Sequence, residues 1–473
     1  MDPDALSHRN RVPPSSVLVI GAGLAGATAA FALAQSGAQV ELWETLPKAG
    51  GRLRSFTDYQ TGQEIDNCQH LLMGCCINLR RFTSAIGLGD CWKIQRYLTF
   101  VTSDGKSSRF ASAPLPAPFH LARAFAGMHA LSWTDKPGLG LAVLRLAAWK
   151  DHAGDEPLVP WLRRHGQTER EISAFWEPVL VSALNDSMAN LGVCAARQVL
   201  TEAFLGGKQA FDLWLPTRPL GDIFGRDMGQ ALVRAGVRCR FGITARDLIV
   251  TNGRVIGARS RDGLASSADA VVLACPHRQS WQILENSGLQ PATEPWGTGL
   301  GTSSITAIHL WFSCQVLRLP HAALIGCLGQ WVFRSTWGTP GAPYCQVLIS
   351  ASDALLVIPA EDLVQRAAAE ILRLFAKPGS DARLVHARVV REHSATFRQG
   401  SDRMRPSHRC NIPGLVLAGD FTRTGWPATM EGAVRSGLTA AHSLSGRLHP
   451  DLALREPPRS WLQRWLPGPR SRG

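Results

Sequence analysis

Gly21-Ala22-Gly23-Leu24-Ala25-Gly26 separates an apolar β-type run, Val17–Ile20, from an alanine-rich stretch, Ala27–Gln35, that reads as a helix closed by Gly37. In that setting each glycine has a distinct use. Gly21 permits a tight turn, Gly23 lets backbone approach a pyrophosphate, and Gly26 lets the helix pack on the strand. The helix N-terminus then faces the anion. Glu44 closes the next β-type run, Gln39–Trp43, where its carboxylate can accept from a ribose diol. Gly50-Gly51-Arg52 follows, with Arg54 two residues on. A glycine pair before an arginine suits a second close approach to the cofactor, with the guanidinium available to phosphate. An alanine-rich core helix without a ligand, and a plain surface turn, are the competing readings of these two motifs.

Further residues could carry chemistry. Asp66-Asn67-Cys68-Gln69-His70-Leu71-Leu72-Met73-Gly74-Cys75-Cys76 is dense in polar groups, and His70 with Asp66 could deliver a proton to a leaving hydroxyl. Against this, Asp66 could cap a turn and His70 satisfy buried backbone. Cys68, Cys75 and Cys76 read as small buried side chains rather than nucleophiles. Glu431 stands four residues before Arg435 and could form an i,i+4 ion pair or lie near a cofactor. The 15 Trp suit core packing, or aromatic walls around an apolar ligand or a carbocation.

These residues need scaffolding. Strands are expected at Val237–Ile243, Leu248–Val250, Val255–Ser260 and Ala270–Ala274, separated by glycine-containing turns, and again at Ser304–Phe312 and Gln346–Ser350. Helices are expected at Pro178–Leu191 and Glu361–Phe375. Leu415–Ala418 reads as a strand leading into Gly419-Asp420, then a helix from about Thr429 to Leu444 stopped by Gly446. The 473 residues exceed one compact core, so two domains interleaved in sequence are expected. A hydrophobic fraction of 45% excludes a disordered chain. No run is long enough to span a membrane, and the first residues do not resemble a secretory signal. The net charge of +13 comes from Arg scattered along the chain, which argues against nucleic acid as a partner. The 11 Cys lack C-x-x-C spacing, so neither a disulfide framework nor a metal site is expected, and the chain reads as cytoplasmic.

Together, the glycine motif, Glu44 and Gly-Gly-Arg resemble the N-terminal signature of FAD-dependent amine oxidases and carotenoid desaturases. Leu417-Ala418-Gly419-Asp420 resembles their second flavin motif. The resemblance implies that Asp420 binds the ribityl–phosphate region of FAD. It also implies that Ala428-Thr429-Met430-Glu431 begins a helix whose amides stabilise charge on the reduced ring. Where the family places a Val whose backbone holds the adenine, this chain has Ala245. The Asp66–Cys76 block and the stretch Gly419–Gly437 look like the hydroxysqualene dehydroxylases, squalene-associated FAD-dependent desaturases of bacterial hopanoid biosynthesis. That likeness implies reductive removal of a hydroxyl from a polyprenoid lipid.

The expected fold is α/β. A Rossmann-like FAD-binding domain (15–84, 216–285 and 396–446) is interleaved with a mixed α+β substrate domain (85–215 and 286–395), with flexible tails at 1–14 and 450–473. Trp461 and Trp465, spaced with Arg in the tail, suggest peripheral contact with the inner membrane face, and enzymes upstream in squalene formation are candidate partners. Two other enzyme readings stay open, a phytoene-type desaturase running hydride the opposite way and an amine-oxidase-like flavoenzyme. A non-catalytic prenyl-lipid binder on the same fold is a further alternative.

Overall fold

The computed structural model describes residues 14–150, 155–289, 299–335, 337, 342–399 and 405–460. Val17, Leu18, Val19 and Ile20 are all buried, as a strand covered on both faces requires. They belong to Ser16–Ile20, the centre of a five-stranded parallel sheet. Its order is Arg238–Phe241, Gln39–Glu44, Ser16–Ile20, Ala270–Leu273, Leu415–Leu417. In chain order this is third, second, first, fourth, fifth, a doubly wound arrangement that leaves a crevice at the carboxyl ends of its central strands. The glycine motif leaves the central strand at that crevice.

The first helix spans Leu24–Gln35, beginning inside the glycine motif rather than at Ala27. The last long helix, Met430–Ser445, lies across it and stops at Gly446, whose φ of +69° is the left-handed termination expected of glycine. A Cβ on Gly437 would stand 2.3 Å from the Ala25 carbonyl oxygen, so the two helices cross at backbone distance.

A second sheet has seven strands. Their order is Leu384–Phe397, Thr302–Phe312, Tyr344–Ser350, Trp331–Arg334, His321–Ile325, Tyr97–Thr102, Ser107–Ala111. Ile308, Leu310, Val347 and Ile349 pack on Leu363, Ala367 and Ile371 of helix Ala360–Phe375. Because side chains alternate along a strand, His309, Trp311, Tyr344 and Gln346 project from the opposite face. Helices between 119 and 204 pack beside Leu98, Phe100 and Phe110 at one end of this sheet.

Two expectations are corrected. The helix expected over Pro178–Leu191 runs over Glu177–Leu184 and ends at Asn185, whose φ of 49° breaks the repeat. The tail expected to be flexible from 450 is docked as far as it is described. Leu452 is buried, and Asn78 and Arg455 exchange two hydrogen bonds, Nδ2 to carbonyl at 2.8 Å and amide to Oδ1 at 2.9 Å. Arg435 pairs with Glu456. Residues 1–13, Trp461 and Trp465 lie outside the described residues. Among the described residues, no helix is long and apolar enough to cross a membrane.

Candidate functional site

The three glycines of the first loop are explained by different neighbours. Gly21 has φ +106°, and a Cβ there would come 2.8 Å from the Ala274 carbonyl. A Cβ on Gly26 would lie 1.9 Å from the Gly21 carbonyl, so loop and helix are in direct backbone contact. At Gly23 a Cβ would meet nothing within 4 Å, because this residue faces open space. Gly23 also heads the helix without a side-chain cap, and no acidic residue occupies the first turn. The first-turn amides are therefore available to an anion.

The second glycine pair closes the other side of that space. Gly50 donates its amide to the Ala22 carbonyl at 2.9 Å, and a Cβ on Gly51 would stand 3.2 Å from the Gly23 Cα. Glu44 accepts from the Ala22 amide at 2.7 Å and the Leu46 amide at 2.9 Å, so its carboxylate braces the loop from behind. Ala245 begins strand Ala245–Thr251 and pairs with Ser260. The chain just ahead of it is tied to Glu44 by the Ile243 amide at 2.9 Å. These residues converge on one cradle walled by backbone, which fits a dinucleotide cofactor.

Arg52 departs from its expected phosphate role. Its guanidinium binds Asp420 at 2.8 Å and the Ala395 carbonyl at 2.7 Å, and the nearby carboxylate raises its pKa further. The expected cofactor-binding carboxylate is thus already paired. Gly419 donates to Ser436 Oγ at 2.8 Å, fixing the Gly-Asp turn against the following helix. Thr429 caps that helix by accepting from the Gly432 amide at 3.2 Å, next to the partly buried Met430. Glu431 is buried and makes no i,i+4 pair with Arg435. It accepts instead from Asn78 Nδ2 at 2.7 Å and the Leu79 amide at 2.8 Å, capping helix Ile77–Ala85. Its side chain is committed there, leaving only its backbone to a cofactor.

Asp66 and His70 are not hydrogen-bonded to each other. Asp66 Oδ1 accepts from Ser55 Oγ at 2.5 Å and the Leu220 amide at 2.9 Å, while Oδ2 is buried without a partner. Burial raises the Asp66 carboxyl to about 7. His70 Nδ1 lies 2.9 Å from the Cys68 carbonyl, and burial lowers the ring to about 4. The imidazole is therefore neutral near pH 7. Because a carbonyl only accepts, its proton sits on Nδ1 and leaves Nε2 as an acceptor. Of the pair expected to deliver a proton, His70 thus presents an acceptor at Nε2, and Asp66 is the member whose pKa burial raises.

Other groups escaped notice in the sequence. His309 Nδ1 is 2.8 Å from the Tyr344 hydroxyl, and Gln346 Nε2 lies 3.2 Å from His309 Nε2. Gln346 also reaches the Asp66 carbonyl at 3.5 Å, so this sheet face abuts the polar block. Beside it stand Trp331 and Phe333, stacked with centroids 5.5 Å apart, and His321 between Trp331 and Tyr97. The signal was the two-residue alternation along strands whose partners lie far away in sequence.

The model of the flavin containing amine oxidoreductases matches residues 24–444. A hydroxysqualene dehydroxylase of Sinorhizobium fredii is 28% identical over 94% of this chain and 99% of its own length. A chloroplast zeta-carotene desaturase of Zea mays is 26% identical over 94% of this chain and 86% of its own. The crystal structure of an oxidoreductase from Methanosarcina mazei superposes with a TM-score of 0.66 at 16% identity, covering 90% of this chain and 99% of that one. An uncapped helix facing two glycine turns, and a match running nearly end to end, agree: this chain belongs to the flavin containing amine oxidoreductases.

Proposed function

We propose that this chain is an FAD-dependent enzyme that reductively removes the hydroxyl of hydroxysqualene to give squalene. Its FAD would lie along the cradle of Gly21, Gly23, Gly26, Gly50 and Gly51. Glu44 would sit at the ribose, the Ala245 backbone at the adenine, and the amides of 428–431 beside the ring. The FAD-binding domain of this reading comprises 15–84, 216–285 and 396–446, and the seven-stranded sheet would form the substrate wall. Supplied in reduced form, the cofactor provides the hydride that replaces the hydroxyl; the balance is hydride in, proton in and water out.

The chain's own residues account for the rest. Asp66 would supply the proton to the leaving oxygen once bound substrate displaces the packing over its buried Oδ2, and His70 Nε2 would accept from the hydroxyl hydrogen and orient the group. Trp331 and Phe333, on the strand next to Gln346, would offer aromatic surface to positive charge developing on the allylic carbon and exclude water from it. The observation that carries this reading is a buried carboxylate oxygen without a partner, Asp66 Oδ2, in a segment tied to the cradle where Asn67 donates to the Arg54 carbonyl at 3.1 Å and the Arg52 carbonyl at 3.3 Å. Squalene formation during anaerobic incubation of photoreduced protein with hydroxysqualene tests it, and absence of squalene from loaded protein would sink it.

The zeta-carotene desaturase likeness, over the same 94% of the chain, favours one second reading, desaturation of a polyprenoid by the oxidised cofactor. New conjugated absorbance on adding a polyene to the oxidised protein distinguishes it. Under either reading the substrate is bilayer-soluble, so peripheral contact with the inner membrane face, and with the enzymes that deliver the substrate, forms part of the proposal.

A further inference from the structure

Helix Asp135–Ala148 is apolar on two sides. Its inward stripe, Leu139, Ala142, Val143, Leu146 and Ala147, is buried in the helical block. On the outward side Leu141 and Leu144 are each 48% exposed, and the exposed Arg145 and Ala148 complete the same stripe. Leucines on the outward side of a helix whose inward side is already buried call for an apolar partner on that side, with Arg145 at its edge. The preceding segment continues the pattern, with Trp133 exposed to 75%, Phe119 to 54% and Leu115 to 45%. Lys136 draws the two segments together, donating to the Ala126 carbonyl at 2.5 Å with its ammonium 4.1 Å from the Trp133 ring.

Charge selects the occupant. Between 112 and 150 the exposed charged residues are Arg123, Arg145 and Lys150, all basic. The single carboxylate of that stretch, Asp135, is held by the Ser132 amide at 2.8 Å and by Arg170. Exposed Trp, Phe and Leu set among cations match the boundary of an anionic bilayer, where aromatic and aliphatic side chains enter the acyl edge and cations meet phosphates. The inner stripe of the same helix shares its core with Leu98 and Phe100, on the sheet that carries the aromatic wall.

We propose that this face of the helical block docks the protein on an anionic lipid bilayer. Phe119, Trp133, Leu141 and Leu144 would be inserted, with Arg123, Lys136 and Arg145 at the headgroups. The inference rests on the lipid-substrate reading for its purpose, but the contact can be measured without turnover.

The test is flotation of flavin-loaded full-length protein with vesicles of equal parts phosphatidylcholine and phosphatidylglycerol, and with phosphatidylcholine alone. The protein should float with the mixed vesicles. Trp133→Gln and the pair Leu141→Gln/Leu144→Gln should each weaken apparent affinity about tenfold or more, as loss of inserted apolar side chains requires. Arg123→Glu/Arg145→Glu should remove the preference for the anionic mixture. Truncation after Ser460 should leave flotation intact, and all variants should keep wild-type turnover on detergent-dispersed hydroxysqualene. Variants that float like wild type, or flotation lost on truncation, would overturn the proposal. So would a wild-type dimer that the leucine pair converts to a monomer with no change in flotation, since the face would then join two copies. Failure of detergent turnover in the wild type would count against the proposed reaction while leaving the docking result standing.

Discussion

Arg52 and Asp420 stand 368 residues apart in the chain and 2.8 Å apart in space, one ending the first flavin motif and the other ending the second. Arg52 also donates to the Ala395 carbonyl, at the end of the seven-stranded sheet's longest strand, so a single side chain ties together three parts of the fold.

Breaking that pair should loosen the cofactor more than the fold. The Arg52 side chain is 40% exposed, so screening holds its contribution to stability to about 1 kcal/mol. Arg52→Ala and Asp420→Asn should each shift the flavin dissociation constant upward by about tenfold, measured by flavin fluorescence. The double variant should be no worse than the poorer single one, because both remove the same contact.

Two neighbouring glycines should fail in opposite ways. Gly23→Ala adds a methyl into open space at a φ of −68°, so thermal stability should change by no more than about 0.5 kcal/mol while flavin retention falls sharply. Gly26→Ala drives a carbon into the Gly21 carbonyl and should cost about 3 kcal/mol or more. Melting curves with and without added FAD separate the two outcomes.

With Asp66 as the proposed proton donor, the pH dependence of turnover should follow its carboxyl. With its carboxyl raised to about 7, the proton-bearing form fades as pH climbs through that value, so dehydroxylation should fall on the alkaline side. Asp66→Asn should reduce turnover by roughly 10²–10⁴-fold and abolish that limb, whereas His70→Ala, which removes an acceptor, should leave the limb in place. The raised carboxyl also has a stability sign. Its folded value lies above the unfolded one, so the native state is favoured at low pH and penalised as pH rises from about 4 to 7, by about 4 kcal/mol at most. Asp66→Asn should therefore raise the melting temperature at pH 8 while impairing catalysis.

Acid should unfold the protein through its histidines. Burial lowers His70, His277, His321 and His408 to about 4 and His309 to about 3. Such depressed values mean stability that is complete above about 6.5 and is lost as pH falls toward the folded values, at up to about 1.4 kcal/mol per pH unit for each ring. His321 packs between Trp331 and Tyr97 with only a backbone contact to Tyr97 at its ring, so His321→Phe should keep most stability at pH 7 and flatten the acid limb by one proton. Melting temperature against pH for the two proteins checks it.

How far the sequence could be read followed the range of the contacts. The strand, glycine loop, helix and Glu44 lie within thirty residues of one another, and their roles are set by backbone geometry that glycine spacing encodes directly. Arg52 carried a local motif whose partner is distant, so a phosphate was the natural expectation and Asp420 the outcome. His309, Tyr344 and Gln346 meet only through an antiparallel pairing, which the strand pattern implied without fixing its register. Asn185 ended a helix early because it adopts a left-handed conformation between Leu184 and the buried Asp186, a tertiary demand that outweighs the periodicity before it. Residues 450–460 read as tail because their anchors, Asn78 and Arg435, lie on other helices.

Leu415–Leu417 joins the parallel sheet as its last edge strand, beside Ala270–Leu273, and brings Asp420 and the helix behind it to a cradle begun at Gly21. A ribosome adding about 5–20 residues per second needs roughly 20–70 s to travel from Arg52 to Asp420. Throughout that interval the emerging polypeptide holds half a binding site. Loading of the flavin is thus set to follow synthesis of Asp420 and helix Met430–Ser445, and a yellow protein reports that translation passed them. Products terminated before Asp420 should stay colourless and be open to proteolysis, which makes the cofactor a report on that late segment as well as a reagent.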